Sequence, residues 1–219
     1  MPGEEQDGKN PAMYRPPPSA QSEEAVTPWP ADHPARPFCY RLLARLLAAP
    51  PSLADLANVD AILINLQLPE SLARHITALS RGLQSASLEE LNAEYHNLFV
   101  GDCRGELLPY ASWYRCGGLL GPSLLEIRTA LASLGVERQP GASEPEDHAS
   151  ALLETMAIML EENRVSSGNQ ADFFQNHLDP WIHDFLSDLR RSPSSSFYSL
   201  VAALGSEFLA AERCTLQAG

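Results

Sequence analysis

From Phe38 onward apolar residues recur at helical spacing almost without interruption, and this one pattern decides the fold class. In FCYRLLARLLAAP, Tyr40, Leu43 and Leu47 fall on one stripe, and the Pro50-Pro51 pair stops the run. SLADLANVDAILINLQ and ESLARHITALSRGL read as two further amphipathic stretches, divided at Pro69. Ser87 and Glu90 stand at capping-box spacing at the head of SLEELNAEYHNLF, which ends at Gly101. PSLLEIRTALASLG opens with Pro122 in its first turn after Gly121, and Gly135 suits a left-handed C-cap. EPEDHASALLETMAIMLEEN follows Ser143, which stands at capping-box spacing from Glu146, and its acidic residues are predicted in the first turn, where the helix dipole favours them. Asp179-Pro180 marks a start within QADFFQNHLDPWIHDFLSDLRR, and SSSFYSLVAALGSEFLAAER supplies the final helix. No strand-length run of β-branched or aromatic residues with alternating polarity occurs. The prediction is all-α: a single globular helical bundle domain over residues 38–219.

Residues 1–37 differ. Half of the 18 prolines fall there, with PPP at Pro16 to Pro18 and few large apolar residues. Such a segment cannot repay its ordering entropy, so a disordered Pro-rich N-terminal extension is predicted. Acidic side chains outnumber basic ones 28 to 15, for a net charge of -13. Non-specific nucleic-acid binding needs clustered Lys and Arg, so that class is set aside and a basic partner favoured. Lys9 is the only lysine, which removes the P-loop phosphate site. No apolar stretch reaches the roughly 20 residues that span a bilayer. The first residues lack the charged start and apolar run of a secretory signal, so a cytoplasmic location without stable membrane insertion is expected. Cys39, Cys103, Cys116 and Cys214 form no close pair and read as isolated buried thiols.

Catalytic chemistry finds little support. No histidine has a carboxylate three positions before it, against what a carboxylate-bridged metal bundle needs, so no metal site is expected. There is no G-x-S-x-G, and neither Cys103 nor Cys116 has a cue to a paired histidine. Two places stand out instead. Val100 to Pro122 is a long irregular stretch with five glycines and the aromatics Tyr110, Trp113 and Tyr114. Around His148, Glu144, Glu146 and Asp147 form an acidic cluster at a helix start. In the bland reading Asp147 caps that helix and His148 packs on Leu152. In the functional one the cluster is a polar lip that grips an incoming peptide or its arginines.

The order Y-H-N-L-F-V-G (Tyr95 to Gly101), P-Y-A-S-W-Y (Pro109 to Tyr114), E-P-E-D-H (Glu144 to His148) and F-x-x-x-H-L-x-P-W-I-x-x-F (Phe173 to Phe185) resembles the TorD/DmsD family of cytoplasmic molybdoenzyme-specific chaperones. The resemblance implies a helper, not an enzyme. Its partner would be a molybdoenzyme catalytic subunit and that subunit's twin-arginine signal peptide, held back from export until its cofactor is inserted. By position, Tyr95, Leu98, Phe99, Pro109, Tyr110, Ser112, Gly121, Pro145, Asp147 and His148 would bind the leader, with Glu144 and Glu146 as the acidic lip. Trp181, Phe185 and Tyr198 are assigned to the core. P-Y-A-S stands where the DmsD branch is similar to P-W-G-S, which loosens the tie to that branch. No cofactor is expected, with GTP or molybdopterin guanine dinucleotide binding as the alternative. A client that stays inside the cell, of the nitrate reductase or metal-dependent hydrolase branch, is the competing reading. Family members occur as monomers and as helix-exchanged homodimers, and either is open here.

Overall fold

The first helix, α1 (Ala35–Ala48), buries Tyr40, Leu43, Leu46 and Leu47 and ends where Pro50 and Pro51 cannot continue it. The computed structural model describes residues 29–102, 104–138, 141, 144–161 and 167–218. After α1 come α2 (Leu53–Asn65), α3 (Glu70–Ser85) and α4 (Leu88–Tyr95). A wider π-helical turn, His96–Val100, continues α4 without a break. A short α5 (Ala111–Cys116) and α6 (Pro122–Leu134) follow, then α7 (Ala149–Glu161) and α8 (Ser167–Phe173). A second π turn, Phe174–Leu178, leads directly into α9 (Asp179–Arg191), and α10 (Phe197–Ala218) completes the body. No strand occurs among the described residues, so the all-α expectation holds.

α1 lies at the centre, against α7 on one side and α10 on another, while α10 also packs on α9 and α3. Gly205 of α10 marks one close approach: a Cβ there would sit 3.1 Å from Leu186 of α9 and 3.6 Å from Leu43 of α1. Trp181, Phe185, Tyr198 and Phe208 fill the space between these helices and are essentially fully buried, as expected for the first three. Each such ring contributes roughly 2–3 kcal/mol through removal of apolar surface from water.

Helix ends follow local chemistry where the partner is local. The Ser87/Glu90 capping box forms in both directions, Gly121 precedes Pro122 at the start of α6, and Gly135 closes it in a left-handed conformation. Ser52 and Asp55 make a further box at the head of α2. One predicted start fails. α7 begins at Ala149, and Glu146 and Asp147 lie in the turn before it, so neither acidic residue occupies its first turn. Ser143, the other half of that predicted box, lies outside the described residues.

The domain boundary also moves. Residues 1–28 lie outside the described residues, but residues 29–37, predicted as tail, belong to the folded body. Trp29 is 7% exposed and meets the Phe208 ring edge-on at 6.0 Å. Its N–H donates to Thr215 Oγ1 at 2.7 Å. Arg36 is buried and donates from Nε (2.6 Å) and an NH2 nitrogen (3.0 Å) to Glu212, which is fully buried in α10. Prolines around these residues suggested disorder, but the partners that hold them lie on the last helix. The thiol expectation is met at Cys39, which is buried, whereas Cys116 is exposed and Cys103 is outside the described residues.

Candidate functional site

Two segments predicted to bind the leader cross each other. Ala111 N–H donates to the Asp147 carbonyl (2.9 Å) and Ala149 N–H to the Pro109 carbonyl (2.8 Å), a single antiparallel bridge between Tyr110 and His148. The Asp147 carboxylate accepts from the Ser112 N–H at 3.0 Å and so caps α5, not the helix that follows it in sequence. His148 caps α7: its Nδ1 accepts from the Ser150 N–H at 3.1 Å, which requires the neutral ring with the proton on Nε2. Burial pushes its pKa down to about 4, against the opposing pull of Glu144 and Asp147.

Asp147 is 1% exposed, His148 4%, Ser112 0% and Leu98 0%. These four therefore do not line a surface. They were expected to contact the leader; the structure buries them, with Pro109, as a frame beneath the exposed residues. Asp147→Ala would strand the Ser112 N–H in a dry interior, a loss of about 1–2 kcal/mol from the fold itself.

The frame presents four side chains. The Tyr110 hydroxyl donates to Glu144, which is exposed, and the Tyr110 ring lies edge-on to His148 at 5.1 Å. Burial, then the Glu144 carboxylate, holds the Tyr110 phenol well above its ordinary range, and the same two causes raise Tyr95. Tyr95 donates to the Leu47 carbonyl at 3.4 Å. Phe99 packs on Tyr95 at 5.1 Å and on Tyr198 at 5.2 Å. Both Tyr95 and Phe99 are half-buried.

Leu98 and Phe99, neighbours on the π turn, take different environments. The turn's bonds run five residues apart, Gly101 N–H to the His96 carbonyl at 2.7 Å, and Leu98 turns into the core while Phe99 stays at the edge. Gly101 then reverses the chain at φ 60°, where a Cβ would lie 2.2 Å from the Arg104 carbonyl oxygen. The returning strand of chain bonds back to the turn, Leu107 N–H to the Leu98 carbonyl at 2.8 Å.

Of the two carboxylates expected to form an acidic lip, one is already engaged. Glu146 is held by Arg128 of α6 at 2.9 Å, and although burial pushes its carboxyl up, that guanidinium leaves it below its ordinary range. Glu144 remains as the exposed carboxylate. Pro145 is half-buried, and its carbonyl accepts from the His148 N–H at 3.1 Å. Gly121 sits at the far end of α5 beside Cys116. Arg128 was missed because nothing in its own helix signals a partner 18 residues on. No group of three or more metal-ligating side chains occurs among the described residues.

A family model described as nitrate reductase delta subunit matches residues 65–187. The chaperone protein TorD of Vibrio cholerae (serotype O1, strain O395) is 31% identical over 169 residues, covering 70% of this chain and 76% of the relative. The chain belongs to the TorD/DmsD family. A Haemophilus influenzae member, named "Probable Tat proofreading chaperone DmsD", is 33% identical over 135 residues, covering 60% of this chain and 63% of that one. The fold matches the crystal structure of a protein described as a redox enzyme maturation protein, from Archaeoglobus fulgidus, with a TM-score of 0.59 and 20% identity over 80% of this chain and 93% of that one. The named TorD and DmsD relatives are chaperones, so this TorD/DmsD member is a helper and not an enzyme. No described helix is long and apolar enough to cross a membrane.

Proposed function

We propose that this TorD/DmsD member binds the twin-arginine leader of a molybdopterin oxidoreductase catalytic subunit in the cytoplasm and holds back its export until the cofactor is inserted. The observation that carries the reading is the exposed Glu144 carboxylate, fixed by the Tyr110 phenol beside the half-buried rings of Tyr95 and Phe99. A leader that begins with paired guanidinium groups and continues into apolar residues needs a carboxylate next to an aromatic floor. The net charge of -13 adds long-range attraction for such a basic segment.

The test is calorimetric titration of the full chain with a synthetic twin-arginine leader. Binding is expected at low ionic strength and weakens as salt rises, because part of the attraction is Coulombic. Glu144→Gln should weaken it roughly fivefold with an unchanged melting temperature. Absence of any complex at low salt overturns the reading. Titrating GTP and molybdopterin guanine dinucleotide alongside checks that leader binding needs neither.

The family model's description favours one further reading, a nitrate reductase client that remains inside. In that case a catalytic subunit lacking any leader is captured as well as one that carries it.

A further inference from the structure

Carboxylates are plentiful in this chain, and Arg41, Arg45, Arg128 and Arg213 each pair with one. Arg104 does not. It is exposed, has no carboxylate partner among the described residues, and lays its guanidinium over the Trp113 ring, 5.4 Å from the centroid. The quadrupole of an indole attracts a cation to its face, and a planar guanidinium stacks there well.

Both partners stand in the candidate site. The segment that carries Arg104 lies flat on the π turn: a Cβ on Gly105 would sit 2.5 Å from the carbonyl carbon of Phe99. Just beyond, the backbone is pinned. Glu106 N–H donates to the Asn97 carbonyl at 3.1 Å, and the Glu106 carboxylate accepts from the Ser192 and Ser194 hydroxyls. Trp113 stands three residues past Tyr110, with its N–H donating to the Tyr110 carbonyl at 3.1 Å, and Tyr110 in turn holds Glu144. Trp113 is half-buried, and the cation on it comes from the loop, not from the core. The site thus already holds one guanidinium, supplied by the chain itself. At an exposed position such a contact is weak, so a guanidinium brought in by a bound peptide can displace it.

We propose that the Trp113 face is a seat for one arginine of the leader and that Arg104 fills it in the free protein, an inference that rests on the leader-binding reading. A leader with two arginines then has two seats to meet, the Glu144 carboxylate and the Trp113 ring. Arg104 acts as a competitor in cis, and a peptide too weak to move it is turned away.

The test is calorimetric titration of a synthetic twin-arginine leader into the full chain and its Arg104→Ala, Trp113→Met and double variants. Arg104→Ala vacates the ring and should bind the leader about threefold more tightly, because the competing closed state is gone. In the Trp113→Met background that gain should disappear. An equal gain in both backgrounds would mean that only a like charge was removed, and an unchanged or weaker affinity that Arg104 does not compete; each overturns the proposal. If Trp113→Met melts early, acrylamide quenching of fluorescence takes its place. Of the three tryptophans, Trp29 and Trp181 are 7% and 1% exposed, so Trp113 is the one the quencher reaches. Quenching should rise in Arg104→Ala and fall back when the leader binds, and quenching that the leader leaves unaltered overturns the seat. Loss of affinity in Glu144→Gln, with no effect of Arg104→Ala, keeps the leader reading and removes the seat. Absence of any complex with wild type removes both.

Discussion

His148 shows how a residue with a functional look can be spent on structure. Its ring serves α7 only while Nδ1 stays unprotonated. An imidazole whose pKa falls from 6.5 to about 4 on folding binds fewer protons folded than unfolded between those values. Its contribution to stability is therefore complete above pH 6.5 and is lost as pH falls through about 4, on the order of 3 kcal/mol in all. Glu144, Asp147, Tyr110 and Ser150 surround the ring, and its burial outweighs the opposing pull of Glu144 and Asp147. His148→Asn keeps an acceptor at the cap and removes the titration. Denaturant unfolding between pH 7 and pH 4 should then depend less on pH in the variant than in wild type, and an identical slope would show that His148 is not the group responsible. Tyr95, Phe99, Tyr110 and Glu144 were legible in the sequence as an aromatic and acidic group. The role of Asp147 was not, because the N–H it satisfies belongs to Ser112, 35 residues upstream.

Helix starts divide by the range of their chemistry. Those set from within, by the capping boxes at Ser52 and Ser87 or the first-turn proline Pro122, can be read from a few adjacent residues. The start of α10 cannot: the N–H groups of Ser196, just before it, and of its first two residues, Phe197 and Tyr198, all donate to the carboxylate of Glu94 on α4, at 2.8, 3.0 and 2.7 Å. A carboxylate there complements both the orphan donors and the helix dipole. Glu94→Ala should cost about 2 kcal/mol, and Glu94→Gln less, since an amide oxygen still accepts. Thermal melts of the two variants check the order, and equal melting temperatures would mean the carboxylate is idle. The π turns were equally hidden, because a bond to the fifth residue leaves no mark on composition or on the spacing of apolar residues. Leu98, expected to contact the leader, lies buried within one of those turns.

At the scale of the whole molecule, the all-helical body follows from the apolar period, while its edge at the amino-terminal side depends on contacts no local pattern reveals. Trp29 and Arg36 join the core through Phe208, Thr215 and Glu212, all on α10. A chain that starts at Phe38, where the apolar period begins, should melt well below one that starts at Trp29. The loss of the tryptophan contacts alone is worth about 3 kcal/mol, and Glu212 is left as a buried unpaired charge. Equal melting temperatures would return residues 29–37 to the tail.

The clasp between Arg36 and Glu212 spans 176 positions of the chain. On the ribosome, the first helix emerges long before its mate exists, and its guanidinium must stay wet until then. Completion of the body is thus deferred to the arrival of α10, and a nascent chain halted short of Glu212 has no way to close.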